Sequence, residues 1–241
     1  IHRSIPEMAG EKNEVKLLGM WASPYMARVK LALNLKGVSY EYIEEDLANK
    51  SELFLRSNPV HKAVPVLIHN GKPICESQVI VQYVDEAFHA AAKALLPADP
   101  HERAVARFWA TYVDDKVLLP WGMLLRAKTD EERAVWARRT FEAVDVLEEG
   151  LMKCCKGKGL FGGDDIGYLD VLLGGMVPWL YATEKISGHN FFDASKVPLL
   201  ASWMERFTHL DAAKAVFQEQ DVDSLVEFAR SVLLTGAATS S

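Results

Sequence analysis

The chain has 241 residues, of which 49% are hydrophobic and 25% charged, and a formal net charge of -6. That size suggests one large domain or two modest ones, and the balance is that of a globular protein with a real core. With an acidic pI near 5.7 and no basic run of five or more residues, a nucleic-acid partner is excluded, and no apolar run approaches the roughly 18 residues of a membrane helix.

The start, Ile1 to Asn13, lacks the apolar segment of a signal peptide. Met8 reads as the natural initiator, with Ile1 to Glu7 an appended remnant. Cys75, Cys154 and Cys155 make no disulfide framework, and the adjacent pair is poorly placed to bridge itself. Reduced thiols and a cytoplasmic address are expected. No C-x-x-C, H-E-x-x-H or phosphate-loop motif occurs, and the histidines are scattered, so no metal site is expected.

Residues 15 to 88 alternate strand and helix. Val15 to Met20 is short and apolar enough for a buried strand. After Trp21-Ala22, Ser23 stands as an N-cap and Pro24 as the first residue of a helix reaching about Lys36, with Gly37 at its end. A strand running into a helix through Ser-Pro aims backbone N–H groups and one hydroxyl at a single point, where the helix dipole favours an anion. Ser23 is therefore either a plain cap or an anion donor. A second strand covers Tyr40 to Glu44, and Leu53 to Leu55 form a short helical or irregular link. The third strand runs from Val64 to Ile68. Pro65 at its start removes a ladder donor, and a cis Val64-Pro65 bond is expected there. Asn70-Gly71 fits a type I′ hairpin turn into a fourth strand, Lys72 to Cys75. Glu76-Ser77 then opens a helix with apolar Val79, Ile80, Tyr83, Val84 and Ala87. The order β-α-β-link-β-β-α is thioredoxin-like.

Residues 89 to 100 read as a linker, after which strand signals stop. His101 to Lys128 is one long helical pattern that Pro120 should kink. Thr129 to Glu132 is a capping box for a helix reaching Cys154. Lys156 to Gly167 is a Gly-rich connection. Tyr168 to Thr183 reads as one almost wholly apolar helix at the centre of an all-α core, with Asp170 as a buried capping carboxylate. Pro198, Asp211 (as an N-cap) and Asp221 start further helices, and Thr235 to Ser241 should be disordered. The domains are thus 14–91, α/β and thioredoxin-like, a linker 92–100, and 101–234, all-α.

Several segments together resemble the cytosolic glutathione transferases, and in detail the plant tau class. They are Ser23-Pro24-Tyr25-x-x-Arg28-Val29-Lys30, Glu44-Glu45-Asp46-Leu47-x-Asn49-Lys50-Ser51, Ser57-Asn58-Pro59-Val60-His61-Lys62-x-Val64-Pro65-Val66-Leu67 and Cys75-Glu76-Ser77. Ala106-Arg107-Phe108-Trp109 and Phe161-Gly162-Gly163-Asp164 continue the likeness, which spans about residues 14 to 234. It implies glutathione as co-substrate and a homodimer. Ser23 would hold the sulfur as a thiolate that attacks hydrophobic electrophiles, with some peroxidase activity. The γ-glutamyl group would fall to Glu76 and Ser77, the cysteinyl peptide to the backbone at Val64-Pro65, and the glycyl carboxylate to Lys50. Arg28 and Asp114 would support Glu76 in a charge network. The electrophile pocket would involve Tyr25, Leu118, Gly122, Leu125, Trp179, Phe228 and Val232.

Two departures stand out. The tau pattern carries a second lysine where this chain has Ala63, which should weaken glutathione binding. Many relatives carry Arg and Trp at the positions of Gly122 and Leu125, so the pocket here should be wider and less charged. The competing readings are a non-catalytic carrier of apolar ligands and a thiol-disulfide reductase, though the latter wants cysteine at position 23.

Overall fold

The computed structural model describes residues 14–89, 92–154 and 159–233. Strands β1 (Val15–Gly19), β2 (Glu41–Glu44), β3 (Val66–His69) and β4 (Lys72–Cys75) form one sheet in the order β2-β1-β3-β4. β1 pairs parallel with β2 and antiparallel with β3, and β3 pairs antiparallel with β4. The parallel pair needs a crossover, which helix α1 (Pro24–Leu35) supplies. Alternation along the strands divides the faces. Leu17 and Leu67 point into the large core beside α1 and α3 (Ser77–Ala87). Leu18, Val66 and Ile68 point the other way, onto Phe54 of α2 (Glu52–Ser57). The hairpin turn has φ of 49° at Asn70 and 77° at Gly71, as a type I′ turn requires. The Val64-Pro65 peptide bond is cis.

After residue 99 the named elements among the described residues are all helical: α4 (Pro100–Tyr112), a π-helical segment Val113–Leu118, α5 (Leu119–Arg126), α6 (Asp130–Cys154), α7 (Tyr168–Gly174), α8 (Val177–Ser187), α9 (Pro198–Thr208), α10 (Asp211–Glu219), α11 (Val222–Phe228) and a π-helical turn Ala229–Leu233. The crossover into this region is fastened to the sheet side. The Asp85 carboxylate accepts from the N–H groups of Leu95 and Leu96 at 2.8 and 3.0 Å, and Lys36 Nζ lies 2.8 Å from it.

The apolar stretch expected as one helix is two. α7 ends at Gly174 and α8 begins at Val177. Close approach explains the break. A Cβ at Gly175 would sit 2.6 Å from the Pro24 carbonyl oxygen, and one at Gly174 2.2 Å from the Phe207 ring. Pro178, at the second position of α8, has no N–H to carry the ladder across. The long pattern from His101 also differs: the chain stays helical through Pro120 but widens to π geometry just before it. Asp211 is the first residue of α10 rather than its cap, which is Leu210. In the box at α6, Thr129 Oγ1 accepts from Glu132 N–H, while the Glu132 carboxylate reaches Lys128 N–H instead of Thr129. Asp170 is a capping carboxylate as expected. It is fully buried and accepts from the N–H groups of Phe161, Gly162 and Gly167 and from Trp203 Nε1, all at 2.7–2.9 Å. Expectations about Ile1 to Glu7, Cys155, residues 156–158 and Thr235 to Ser241, and about the side chains of Cys154 and Val232, lie outside the described residues.

Candidate active site

Ser23 caps α1. Its backbone is extended (φ -75°, ψ 124°), and Oγ accepts from Met26 N–H at 3.3 Å. Accepting that bond leaves the hydroxyl's own hydrogen to donate, so the cap and an anion donor are compatible roles. The side chain is buried at 5% exposure, at the end of β1 where α1 begins.

Two residues along, Tyr25 lines a cleft of about 250 Å³ together with Ala63, Val64, Pro65, Glu76, Ser77, Gln78 and Asp114; Ser23 itself is not among its lining residues. Arg28, without solvent exposure, anchors its floor. Its Nε donates to the Leu172 carbonyl at 2.8 Å, Nη1 to Ser77 Oγ at 3.2 Å and Nη2 to Asp114 Oδ1 at 2.6 Å. The other Asp114 oxygen accepts from Gln78 Nε2 at 2.6 Å. Asp114 comes from the π-helical segment, and such distortions concentrate where a side chain must be re-aimed. Glu76 has φ of +71° and Lys62 of +51°, a region that strains non-glycine residues by about 1–3 kcal/mol each. The kink at Glu76 separates β4 from α3 and leaves the Glu76 side chain 56% exposed over Ser77 at the helix start.

The sequence-predicted residues divide accordingly. Tyr25, Val64, Pro65, Glu76, Ser77 and Asp114 meet in the cleft, with Arg28 beneath. Tyr25 thus lines the same cleft as Val64, Glu76 and Ser77. The Arg28 guanidinium lies 5.1 Å from its ring centroid, and burial pushes the Tyr25 hydroxyl up. Lys50 is half-buried just before the Ser51 cap of α2, outside the cleft lining. Leu118, Gly122, Leu125 and Trp179 are buried, and Phe228 is half-buried. Trp179 Nε1 donates to the Ala22 carbonyl at 2.7 Å.

Gly122 does not leave its surroundings free of charge. Arg126, one turn on, donates Nη1 to the Gly122 carbonyl at 2.9 Å, so its guanidinium lies against the space a side chain would fill. Gln78 and Arg126 escaped the sequence reading. Position alone could have flagged Gln78, since it is the first donor after Ser77 on the helix that opens at the cleft.

Cys75 points away from thiol exchange. Its Sγ is 3.5 Å from the Ser57 carbonyl, and burial pushes the thiol up.

Comparison with known proteins settles the family. The model of the glutathione S-transferase N-terminal domain matches residues 13–86. A probable glutathione S-transferase GSTU6 of Oryza sativa subsp. japonica is 51% identical over 96% of this chain and 99% of its own length. Glutathione S-transferase U18 of Arabidopsis thaliana is 45% identical over 91% of this chain and 96% of its own length. The crystal structure of the tau-class glutathione S-transferase from mango, Mangifera indica, superposes with a TM-score of 0.85 at 45% identity, covering 91% of this chain and 98% of that one. The chain is a tau-class glutathione transferase. Rice GST1, solved in complex with glutathione, superposes with a TM-score of 0.81 at 36% identity over 95% of this chain and all of that one. The transferase accordingly uses glutathione as co-substrate, on a thioredoxin-like domain followed by a mostly helical region.

Proposed function

We propose that Ser23 ionises the glutathione thiol and that the thiolate attacks hydrophobic electrophiles held between the sheet domain and the helical region. The observation that carries this is the Ser23 hydroxyl, buried at the start of α1, which accepts from Met26 and keeps a hydrogen to give. A free thiol of pKa about 8.5 is only about 3% thiolate at pH 7. Lowering it by roughly two units raises that to about three quarters and needs about 2.7 kcal/mol. One hydrogen bond to an anion supplies about 1.5–3 kcal/mol, and a helix N-terminus adds about 0.3–1. No separate base is required. The proton leaves to solvent, the sulfur lone pair forms the new C–S bond, and the electrophile's leaving group carries off the displaced electron pair.

In this reading Ser77 and its N–H hold the γ-glutamyl carboxylate and Glu76 the amino group. Arg28 keeps Ser77 in place and Asp114 balances Arg28. The Val64-Pro65 backbone pairs with the cysteinyl peptide, and Lys50 reaches the glycyl carboxylate. Reduction of organic hydroperoxides, detoxification of foreign electrophiles and a cytoplasmic site of action belong to the same proposal. So does a homodimer, which exposed Val60, Val79 and Phe108 would help to bury. The domain limits 14–91 and 101–234 are part of it too.

The test is conjugation of chlorodinitrobenzene by the wild type and Ser23→Ala. The variant is expected to lose about 10- to 100-fold in kcat/KM at pH 6.5, the worth of about 1.4–2.7 kcal/mol. Wild-type activity in Ser23→Ala would overturn the assignment.

A further inference from the structure

The turn that carries Ser23 is held from outside its own domain. Trp21, Ala22 and Ser23 present three successive carbonyls, and all three accept from the helical region. Gln220 Nε2 donates to Trp21 at 2.6 Å and to Ser23 at 3.1 Å, and Trp179 Nε1 donates to Ala22 at 2.7 Å. Gln220 is 3% exposed and caps the C-terminal end of α10. Beside it, Glu219 forms an ion pair with Lys30 of α1, so the end of α10 is fixed to the same helix that Ser23 starts.

The other half of the Gln220 amide has no partner. Its Oε1 is buried and unbonded among the described residues. Leaving a buried acceptor unsatisfied is unfavourable, and an apolar residue of the same length would fill this space without that penalty. The glutamine makes sense for its donor half. The two amide hydrogens go to the two carbonyls that flank Ala22, and the Trp179 indole takes the one between them.

We propose that Gln220 is a positioning residue for Ser23, fixing the Trp21–Ser23 turn from the helical region so that the hydroxyl is aimed at the glutathione sulfur. This rests on the reading of Ser23 given above. The turn sets the backbone from which the Ser23 side chain projects. Hydrogen bonds weaken steeply as donor angles fall, so a small rotation of the turn degrades the contact with sulfur before it loosens the tripeptide's other anchors. The anchor at Ser77 lies on α3 and is held by Arg28, and neither residue is bonded to Gln220.

The experiment is the pH dependence of kcat/KM for chlorodinitrobenzene, together with the ultraviolet thiolate band of bound glutathione, in the full-length Gln220→Met variant. The titration midpoint is expected to rise by about half to one unit, so that kcat/KM falls about three- to tenfold at pH 6.5 and recovers to within about twofold of wild type at pH 9, where the thiol ionises unaided. The glutathione KM is expected to change less than kcat. A role confined to stability would lower activity by the same factor at every pH, and an unmoved midpoint overturns the proposal. Gln220→Asn keeps an amide one methylene shorter and should shift the midpoint less. It carries the test by itself if the methionine variant does not fold. Ser23→Ala is titrated in parallel. If its midpoint also stays put, the Ser23 reading is what fails; if only Gln220→Met stays put, the Gln220 assignment fails alone.

Discussion

Arg28 shows how one side chain serves two purposes. It is wholly buried, yet three of its nitrogens find acceptors on three different elements: the Leu172 carbonyl on α7, Ser77 on α3 and Asp114 on the π-helical segment. A guanidinium without those acceptors would be expensive to bury, so the cleft is pre-set before any ligand arrives. Ala63 has the opposite character. It lines the cleft and offers no charge, while Asn58 holds its carbonyl at 2.9 Å. Ala63→Lys should therefore add a cation at the peptide's glycyl end and lower the glutathione KM about two- to fivefold, the yield of about 0.5–1 kcal/mol from one exposed ion pair. Steady-state kinetics with glutathione as the varied substrate would check it, and an unchanged KM would show that the glycyl carboxylate lies elsewhere.

Among the elements, the start of α7 depends most on one group. Asp170 ties the Phe161–Gly162 loop, the first turn of α7 and the Trp203 indole of α9 together. Asp170→Ala should lose about 3 kcal/mol, because four N–H donors, those of Gly167 and Trp203 buried, lose their acceptor at once. Urea unfolding measures this, and a loss under 1 kcal/mol would mean that water substitutes for the carboxylate. Sequence made such features legible when one residue and its immediate neighbours decide them. Ser23-Pro24, Asn70-Gly71 and Asp170 all carry their geometry locally, and each takes the expected place. What the chain does not announce is contact between distant elements. Gly174-Gly175 and Pro178 mark a weak point between α7 and α8 locally, but nothing in the run Val171 to Trp179 signals the approach of α1 to Gly175. The π-helical turn at Asp114 and the bonds of Gln220 to Trp21 and Ser23 are of the same kind. Local propensity cannot reveal them because their cause is tertiary.

At the scale of the whole molecule, the sheet domain and the helical region share one core rather than abutting. Tyr168 of α7 is part of that seam. It donates to the Gln78 carbonyl at 3.2 Å and accepts from Gln82 at 3.0 Å, both on α3, and burial pushes its hydroxyl up to about 12. The ordinary tyrosine value is about 10, so the unfolded chain releases this proton first as the solution becomes alkaline. Stability from this group is complete below about pH 10 and declines by about 2–3 kcal/mol as the pH rises from about 10 to 12. Tyr168→Phe should flatten that decline. Denaturant unfolding of both proteins at pH 9 and near pH 11 would show it, and equal slopes would place the alkaline transition on another group.

The fastening of the crossover reaches further than its size suggests. Lys36 lies at the end of α1, yet its ammonium group is satisfied by Asp85 and by the carbonyls of Ala92 and Lys93, and Asp85 in turn holds Leu95 and Leu96. Cutting the gene at this junction would strand a lysine and an aspartate inside a fragment that no longer contains most of what satisfied them. The amino-terminal piece on its own would be a poor scaffold for sensors or inhibitor screening.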